Sequence, residues 1–226
     1  DNDRQSAPAR LDGTDLRIGS FNVLNYFTSH SSVGGALNVL CADQADADSA
    51  KGCNRGAKSL EEFQLQRAKI VNAITEMDAD LLGLMEMENN GFDEHAALHD
   101  LVESLNARQK EASKHYAFVT LPKALLTEDR FFGGDAIMVA MIYRPALLTP
   151  SGDADVIPLP QQRYTTGGVT KSAGQRDSLV QRFTVAGSDA PLTLVVNHLK
   201  SKGSGCYENG DGKTEPADLQ GKCTEF

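Results

Sequence analysis

The stretch "ADLLGLMEMEN", residues 79–89, contains the run of side chains that decides how this sequence folds. Residues 81–85 carry no charge and are nearly all apolar, which is typical of a strand buried inside a sheet. Glu86 follows directly, and burying its ionised carboxylate without a partner would be very costly. Glu86 therefore predicts a divalent metal, an arginine or a proton as partner, unless the strand simply ends in water. Glu88, on the same face, fits a second metal ligand and a solvated loop carboxylate equally well.

Hydrophobic periodicity on either side of this stretch predicts an alternation of strands and helices, followed by several strands with short connections. Ser59 with Glu62 three positions on is a capping-box pattern, and it predicts a helix through residue 77. The glycine-rich segment "GGVTKSAG" (167–174) lacks a phosphate-loop pattern and is interpreted as a flexible connection. A second helix is predicted within 92–109, and strands are predicted at 15–27, 79–89, 117–121, 135–144, 178–185 and 192–198. This order indicates a layered α/β protein whose sheet is not all parallel.

The size and charge of the chain exclude some classes of protein. A chain of 226 residues suits one large domain or two small ones. No run approaches the roughly 20 apolar residues that a membrane-spanning helix needs, and the polar residues 1–14 are interpreted as a linker. A net charge of −9 gives no general attraction to nucleic acid. It remains compatible with an enzyme that reaches a phosphodiester through bound cations.

The four cysteines form two local pairs within polar loops. Cys41 with Cys53 and Cys206 with Cys223 match no zinc-binding spacing, and no histidine lies inside either pair. Two local disulfides, Cys41–Cys53 and Cys206–Cys223, are the simplest interpretation, with free thiols as the alternative. Disulfides would place the protein in an oxidising compartment.

Three polar side chains stand where separate hydrophobic strands are predicted to end: Asn22, Glu86 and His198. Taken singly, Asn22 is more typical of a turn and His198 of a structural histidine. Together they fit an oxygen-rich metal site beside an imidazole, because rigid strands hold side chains at a fixed position. This set suits metal-assisted hydrolysis of a phosphate ester.

Two further residues are candidates for the same site. Asp135, at the start of a strand, is the candidate carboxylate for the second ring nitrogen of His198, and a turn residue is the alternative. Arg176 precedes another apolar strand and fits a phosphate clamp, with a surface ion pair to Asp177 as the alternative. His95 and His99 have metal-ligand spacing on a predicted helix, but they are interpreted as solvated because no further ligand is near.

These residues lie in motifs that resemble, in order and rough spacing, those of the endonuclease/exonuclease/phosphatase superfamily. Within it they look most like the secreted bacterial extracellular deoxyribonucleases. The resemblance covers residues 15–226 and is specific when the motifs are taken together. The motifs are "IGSFNVLNYF" (18–27), "LLGLMEMEN" (81–89), "GGDAIMVAMIYRP" (133–145), "QRDSLVQRF" (175–183) and "VVNHLKSKGSG" (195–205).

The resemblance implies an α+β fold, the four-layer αββα sandwich, and cation-dependent cleavage of phosphodiester bonds. It implies that Asn22 and Glu86 hold Mg²⁺ or Mn²⁺, with a structural Ca²⁺ as a further cofactor of the family. His198 matches the histidine that acts on the scissile phosphate, and Arg176 matches an arginine that contacts phosphate. Asp135 lies near the place of the acidic partner of that histidine.

The resemblance also implies a secreted nuclease that hydrolyses extracellular DNA, with RNA as an alternative substrate and with no membrane or obligate protein partner. The family's later "GDFN"-like and "SDH"-like motifs do not follow His198, and Gly210-Asp211 is the only Gly-Asp pair there. Residues 15–226 are therefore expected to be the N-terminal portion of the domain, which leaves the sandwich incomplete and the activity of this chain alone in question. The alternatives are another phosphoesterase of the fold, such as a sphingomyelinase or inositol-phosphate phosphatase, and a non-catalytic binding domain.

Overall fold

The computed structural model describes residues 16–29, 55–166, 169–174, 176–188 and 190–199, and only the backbone within 161–166 and 169–174. Two α-helices lie in these ranges, α1 (Leu60–Met77) and α2 (Ala97–Arg108). Short 3₁₀ turns follow at Ala112–Lys114 and Lys123–Leu125. The ten strands are β1 (Ile18–Tyr26), β2 (Leu81–Glu88), β3 (Ala117–Phe118), β4 (Ile137–Tyr143), β5 (Leu148–Pro150), β6 (Asp155–Ile157), β7 (Gln161–Thr166), β8 (Val169–Gly174), β9 (Ser178–Val185) and β10 (Pro191–Val196).

The strands form two main sheets. The first has the order β1-β2-β4-β3, in which β1 and β2 run parallel and the other neighbours run antiparallel. The second is antiparallel, with the order β10-β9-β5 and with β6 also paired to β9. Within the described ranges, β7 and β8 pair with each other and with no other strand. The predicted mixture of parallel and antiparallel strands is confirmed.

Alternation along β2 separates the two faces of the first sheet. Leu82 lies near α1, because a side chain on the neighbouring Gly19 would meet both Leu82 and Met77. The next residue, Gly83, faces the second sheet, where Val196 of β10 packs directly over it. The helices therefore cover one face and the second sheet covers the other. The predicted α+β sandwich is confirmed in three layers, α, β and β, within the residues that the structure describes.

A polar side chain accepts a hydrogen bond from a backbone N–H in the first turn of each helix. Ser59 Oγ accepts a hydrogen bond from the Glu62 N–H, and the Glu62 carboxylate accepts one from the Lys58 N–H, so the predicted capping box is confirmed. Helix α2 starts at Ala97, whose N–H donates to Asn90 Oδ1. The prediction that His95 belongs to this helix was wrong, because the segment before Ala97 forms turns.

The later part of the chain contains more strand than the sequence pattern predicted. The interpretation of 167–174 as a flexible connection was wrong: Val169–Gly174 forms β8, paired antiparallel with Gln161–Thr166. A Gly-Gly pair between segments rich in threonine is itself a hairpin signal. The three-residue strands β5 and β6 are too short to show a period. No helix among the described residues is long and apolar enough to cross a membrane.

A buried ion pair fastens β2 to β4 at the end opposite the predicted site. Arg144 follows β4 and donates to Asp80 Oδ1 at 2.8 Å and to Asp78 Oδ1 at 2.7 Å. Asp80 is fully buried and also accepts a bond from the Arg17 N–H. Removing one partner of a buried ion pair is strongly destabilising. This network therefore holds β2 and β4 in their register.

We predict that Gly83→Ala destabilises the fold by about 1–3 kcal/mol, because its new methyl group overpacks the space between the sheets. A Cβ at this position would lie 2.8 Å from Val196 Cγ2. Urea denaturation of the variant measures the loss. Gly134→Ala is the matched control, because nothing lies within 4 Å of a Cβ there.

Making Gly83→Ala together with Val196→Ala tests whether contact with Val196 causes the destabilisation. The cost of Gly83→Ala should shrink in the Val196→Ala background, since the clashing methyl group is gone. Equal costs in both backgrounds would show that the two sheets do not press on each other at this point.

Candidate functional site

The candidate site lies where β1 and β2 both depart from regular strand geometry. Glu86 has φ 63°, and the register of β2 against β4 shifts between Leu84 and Met87. In β1, Leu24 and Asn25 have φ 55° and 51°, within the register shift that separates Asn22 from Tyr26. Left-handed backbone is uncommon for residues other than glycine, and such outliers cluster at functional sites. The two bulges therefore mark a site that the surrounding structure holds in place.

The carboxylate of Glu86 is held by two asparagines of β1. Its Oε1 accepts a hydrogen bond from Asn22 Nδ2 at 2.8 Å. Its Oε2 accepts two more from Asn25, one from the backbone N–H at 3.1 Å and one from Nδ2 at 3.0 Å. The side chain of Glu86 is 19% exposed, so these donors stabilise a carboxylate that is largely removed from water.

The sequence pattern did not single out Asn25. Regular alternation would place it on the opposite face of β1 from Asn22, three positions earlier, and only the bulge turns it toward Glu86. The signal that could have found it is the second asparagine of "FNVLNYF", since asparagine tolerates left-handed backbone better than most residues.

His198 lies beside Glu86, as the sequence predicted. Its Nε2 is 3.7 Å from Glu86 Oε1, and its side chain is 16% exposed. Burial and, next, the charge of Arg176 lower the pKa of His198, while Glu86 and Asp135 act in the opposite direction. The imidazole is therefore neutral near pH 7. Its Nδ1 has no hydrogen-bond partner among the described residues.

Asp135 does not take the role expected for it. The predicted hydrogen bond from the second ring nitrogen of His198 to the Asp135 carboxylate is not formed within the described part of the chain. Asp135 lies instead between two arginines, with Oδ2 3.0 Å from Arg176 Nε and Oδ1 3.5 Å from an Arg55 terminal nitrogen. The physical reason is charge: guanidinium groups on both sides attract the carboxylate more strongly than a neutral imidazole does.

Arg176 forms an ion pair with Asp135. The expected alternative was an ion pair with its neighbour Asp177, and that alternative does not account for the position of Arg176 at the site. The carboxylate of Asp177 accepts a bond from the Leu159 N–H. The contact between Arg176 and Asp135 is an ion pair without hydrogen-bond alignment, so the buried Arg176 Nε–H has no aligned acceptor among the described residues. Arg55, from a segment that the sequence pattern left unassigned, is the second residue that the prediction missed.

Glu88 is not solvated. It is fully buried, and its Oε2 accepts bonds from the N–H groups of Thr28 at 2.7 Å and Ser29 at 3.1 Å. The expected alternative of a solvated carboxylate was therefore wrong, and the alternative of a second metal ligand stays a prediction. Glu88 fixes the chain where it leaves β1.

The two asparagines after Glu88 extend this support. Asn89 donates to the carbonyls of Phe132 and Asp135 and accepts from the Phe132 N–H, which fixes the loop before β4. Asn90 donates to Thr28 Oγ1 and accepts from Ala97 at the start of α2. The segment that ends β2 therefore positions Asp135 as well as Glu86.

His95 and His99 contact residues outside this cluster. His95 is 85% exposed, as predicted. His99 is partly buried and packs edge-on against Phe118, so it is less solvated than expected. Within the described ranges, no group of three or more His, Cys, Asp and Glu side chains could hold a metal ion.

A divalent cation fits this site through one carboxylate. Mg²⁺ in enzymes is commonly bound by one or two carboxylates together with water and substrate phosphate, and Glu86 offers such a carboxylate. Asn22 donates to Glu86 through Nδ2, while its Oδ1 accepts from the Leu24 N–H at 2.8 Å. In this arrangement Asn22 orients Glu86. The metal ligands therefore remain a prediction.

The predicted disulfides Cys41–Cys53 and Cys206–Cys223 lie outside the described residues. The proposed compartment therefore stays a prediction.

Comparisons with known proteins give only distant similarity. No model of a protein family matches the sequence, and no curated protein matches it at a significant level. Among solved structures, a conserved protein of unknown function from Enterococcus faecalis V583 matches with TM-score 0.43 and 13% identity over 81% of this chain. An endonuclease/exonuclease/phosphatase from Beutenbergia cavernae DSM 12333 matches with TM-score 0.46 and 18% identity over 84% of this chain. The chain spans 53% of the first protein and 39% of the second.

We predict that the ring of His198 titrates below 6.5, the ordinary value for histidine, because burial and Arg176 both disfavour the imidazolium. NMR titration measures this pKa, with the resonance assigned by its loss in His198→Gln. Arg176→Gln should move the midpoint upward. A wild-type midpoint at or above 6.5 would contradict the burial that the structure gives this ring.

The sign of the effect on stability follows from the same shift. The unfolded chain binds the proton more tightly than the folded one, so the free energy of unfolding falls as pH drops through 6.5 and below. Above that range His198 contributes no pH dependence. Urea denaturation at several pH values should show a smaller acid loss in His198→Gln than in the wild type.

Proposed function

We propose that this protein is a divalent-metal-dependent phosphoesterase of the endonuclease/exonuclease/phosphatase type that hydrolyses phosphodiester bonds of extracellular DNA. The observation that carries the proposal is the meeting of three kinds of group from separate elements. They are a carboxylate held by three hydrogen bonds, a neutral imidazole beside it, and a carboxylate flanked by two arginines.

The arginines support phosphate as the group that is bound. Guanidinium groups match the geometry of phosphate oxygens. Arg176 carries a buried N–H for which the described part of the chain offers no aligned acceptor. Arg55 and Arg176 both contact Asp135, which holds them at the site before substrate arrives. A phosphate that enters beside His198 could share these donors with Asp135.

Each residue has a distinct role in the proposed reaction. Glu86 would hold Mg²⁺ or Mn²⁺, which polarises a phosphate oxygen and stabilises the developing negative charge. Asn22 and Asn25 fix the orientation of Glu86. His198, being neutral, can accept a hydrogen bond or proton at one ring nitrogen while the other donates to the phosphate. Arg176 stabilises the charge on the reacting phosphate.

A cation-dependent mechanism also agrees with the overall charge. A chain with net charge −9 repels a polyanion at long range, so bound cations would have to supply the attraction at the site. The proposed compartment is extracellular and rests on the predicted disulfides, which mass spectrometry under non-reducing conditions would test. Four thiols open to alkylation would remove its main support.

We expect the full-length protein to degrade plasmid DNA in the presence of Mg²⁺ or Mn²⁺, and to lose this activity in EDTA. His198→Ala and Glu86→Gln should each lower the rate by roughly 100-fold or more, since they remove a proton-transfer group and a metal ligand. His95→Ala is the matched control, because that histidine is 85% exposed and outside the cluster.

Three outcomes would overturn or redirect the proposal. Cleavage that survives both EDTA and His198→Ala would exclude the mechanism. A metal-dependent activity on RNA, sphingomyelin or inositol phosphates in place of DNA would keep the reaction class and change the substrate. Metal-independent binding of DNA without cleavage would identify a binding domain.

A further inference from the structure

The bulge in β1 needs a restraint that the sheet does not provide. Regular pairing of β1 with β2 stops at Asn22 and resumes at Tyr26, so the backbone between them has lost its strand partner. Leu24 and Asn25, within this gap, both hold left-handed backbone. Such conformations persist only when neighbouring groups over-determine them.

Gln66 of α1 supplies that restraint. Its Nε2 donates to the carbonyl of Leu24 at 2.7 Å and lies 3.2 Å from the carbonyl of Val23 and 3.5 Å from that of Asn25. One amide nitrogen, which carries two hydrogens, therefore lies within hydrogen-bonding distance of all three carbonyls in the gap. The contacts to Val23 and Asn25 are partly buried, whereas the one to Leu24 is exposed. Partly buried carbonyls require such a donor when the sheet does not provide one.

The next residue of α1 holds the end of the same bulge. Arg67 donates to Asp100 of α2 at 2.9 Å, and Asp100 accepts a hydrogen bond from the hydroxyl of Tyr26. Residues 66 and 67 thus fix both the middle and the end of the irregular segment. The position of α1 beneath β1 is in turn set by the buried face of the helix.

We propose that Gln66 is a positioning residue for the Glu86 carboxylate and acts through Asn25. The inference rests on the proposed function, in which Glu86 holds a divalent cation. Gln66 fixes the bulge, the bulge aims two N–H donors of Asn25 at Oε2, and Oε1 is then left facing Asn22 and His198. Without Gln66 the bulge loses its fixed geometry, and the carboxylate loses its fixed orientation.

The first measurement needs neither metal nor substrate. Gln66→Glu keeps the shape of the side chain and removes its donor, while Gln64→Glu places the same charge on an exposed position of the same helix. Hydrogen exchange of the metal-free protein, followed by NMR, should show the Asn25 amide exchanging roughly 10-fold faster in Gln66→Glu and unchanged in Gln64→Glu. Gln66→Leu should behave like Gln66→Glu, which separates loss of the donor from added charge.

The second measurement asks whether the effect reaches Glu86. Mn²⁺ titration by calorimetry should give a Kd roughly 10-fold weaker in Gln66→Glu, as found when groups that orient a metal ligand are removed. Adding Gln66→Glu to Asn25→Ala should cause no further loss, because both changes act through the same bonds. DNA cleavage should fall in kcat with KM for DNA little changed.

The possible outcomes distinguish a failure of the role of Gln66 from a failure of the proposed function. Unchanged exchange of the Asn25 amide, or an unchanged Kd for Mn²⁺ despite faster exchange, overturns the role of Gln66. Additive losses in the double variant overturn the route through Asn25. If the wild type binds Mn²⁺ but cleaves no phosphodiester, the proposed function fails while the role of Gln66 is still judged on Mn²⁺ affinity. A wild type that binds no Mn²⁺ overturns both.

Discussion

The need to satisfy the buried polar groups that end β2 organises the whole site. The apolar residues of β2 lead into four polar ones, Glu86, Glu88, Asn89 and Asn90. Burying such a polar group without hydrogen-bond partners costs more free energy than its packing contributes. Each of the four finds its partners in a different segment: the β1 bulge, the chain after β1, the loop before β4, and the start of α2. One continuous stretch thereby fixes four otherwise independent segments.

This arrangement explains how a strained backbone is sustained. Residues in left-handed conformation cost on the order of 1–3 kcal/mol each, and Leu24, Asn25 and Glu86 all adopt it at one level of the sheet. The hydrogen bonds from Asn22 and Asn25 to Glu86 are made only when both bulges are present. The strained backbone and the hydrogen bonding of the Glu86 carboxylate therefore depend on each other. At the other end of β2, the ion pair of Asp80 with Arg144 prevents the strand from sliding to relieve the strain.

The sequence predicted the parts of the site that depend on regular strands. Glu86, Asn22 and His198 meet because apolar strands place their polar neighbours at a common level of the sandwich. Asn25 was missed because its orientation depends on a bulge, which has no simple sequence period. The partner of Asp135 was predicted wrongly because it depends on Arg55, more than seventy positions away in sequence order, for which no local pattern exists.

The balance of charge at the site explains why a cation and a phosphate would enter it together. The two arginines and the carboxylates of Asp135 and Glu86 compensate one another, and His198 is neutral. A phosphate alone would bring uncompensated negative charge beside Glu86, and a divalent cation alone would bring uncompensated positive charge beside Arg176. Together they nearly cancel, which lowers the electrostatic cost of placing both in a partly buried site. Under the proposed function, the same balance would make Asp135 important without a hydrogen bond to His198, because its carboxylate offsets the two arginines until a phosphate shares them.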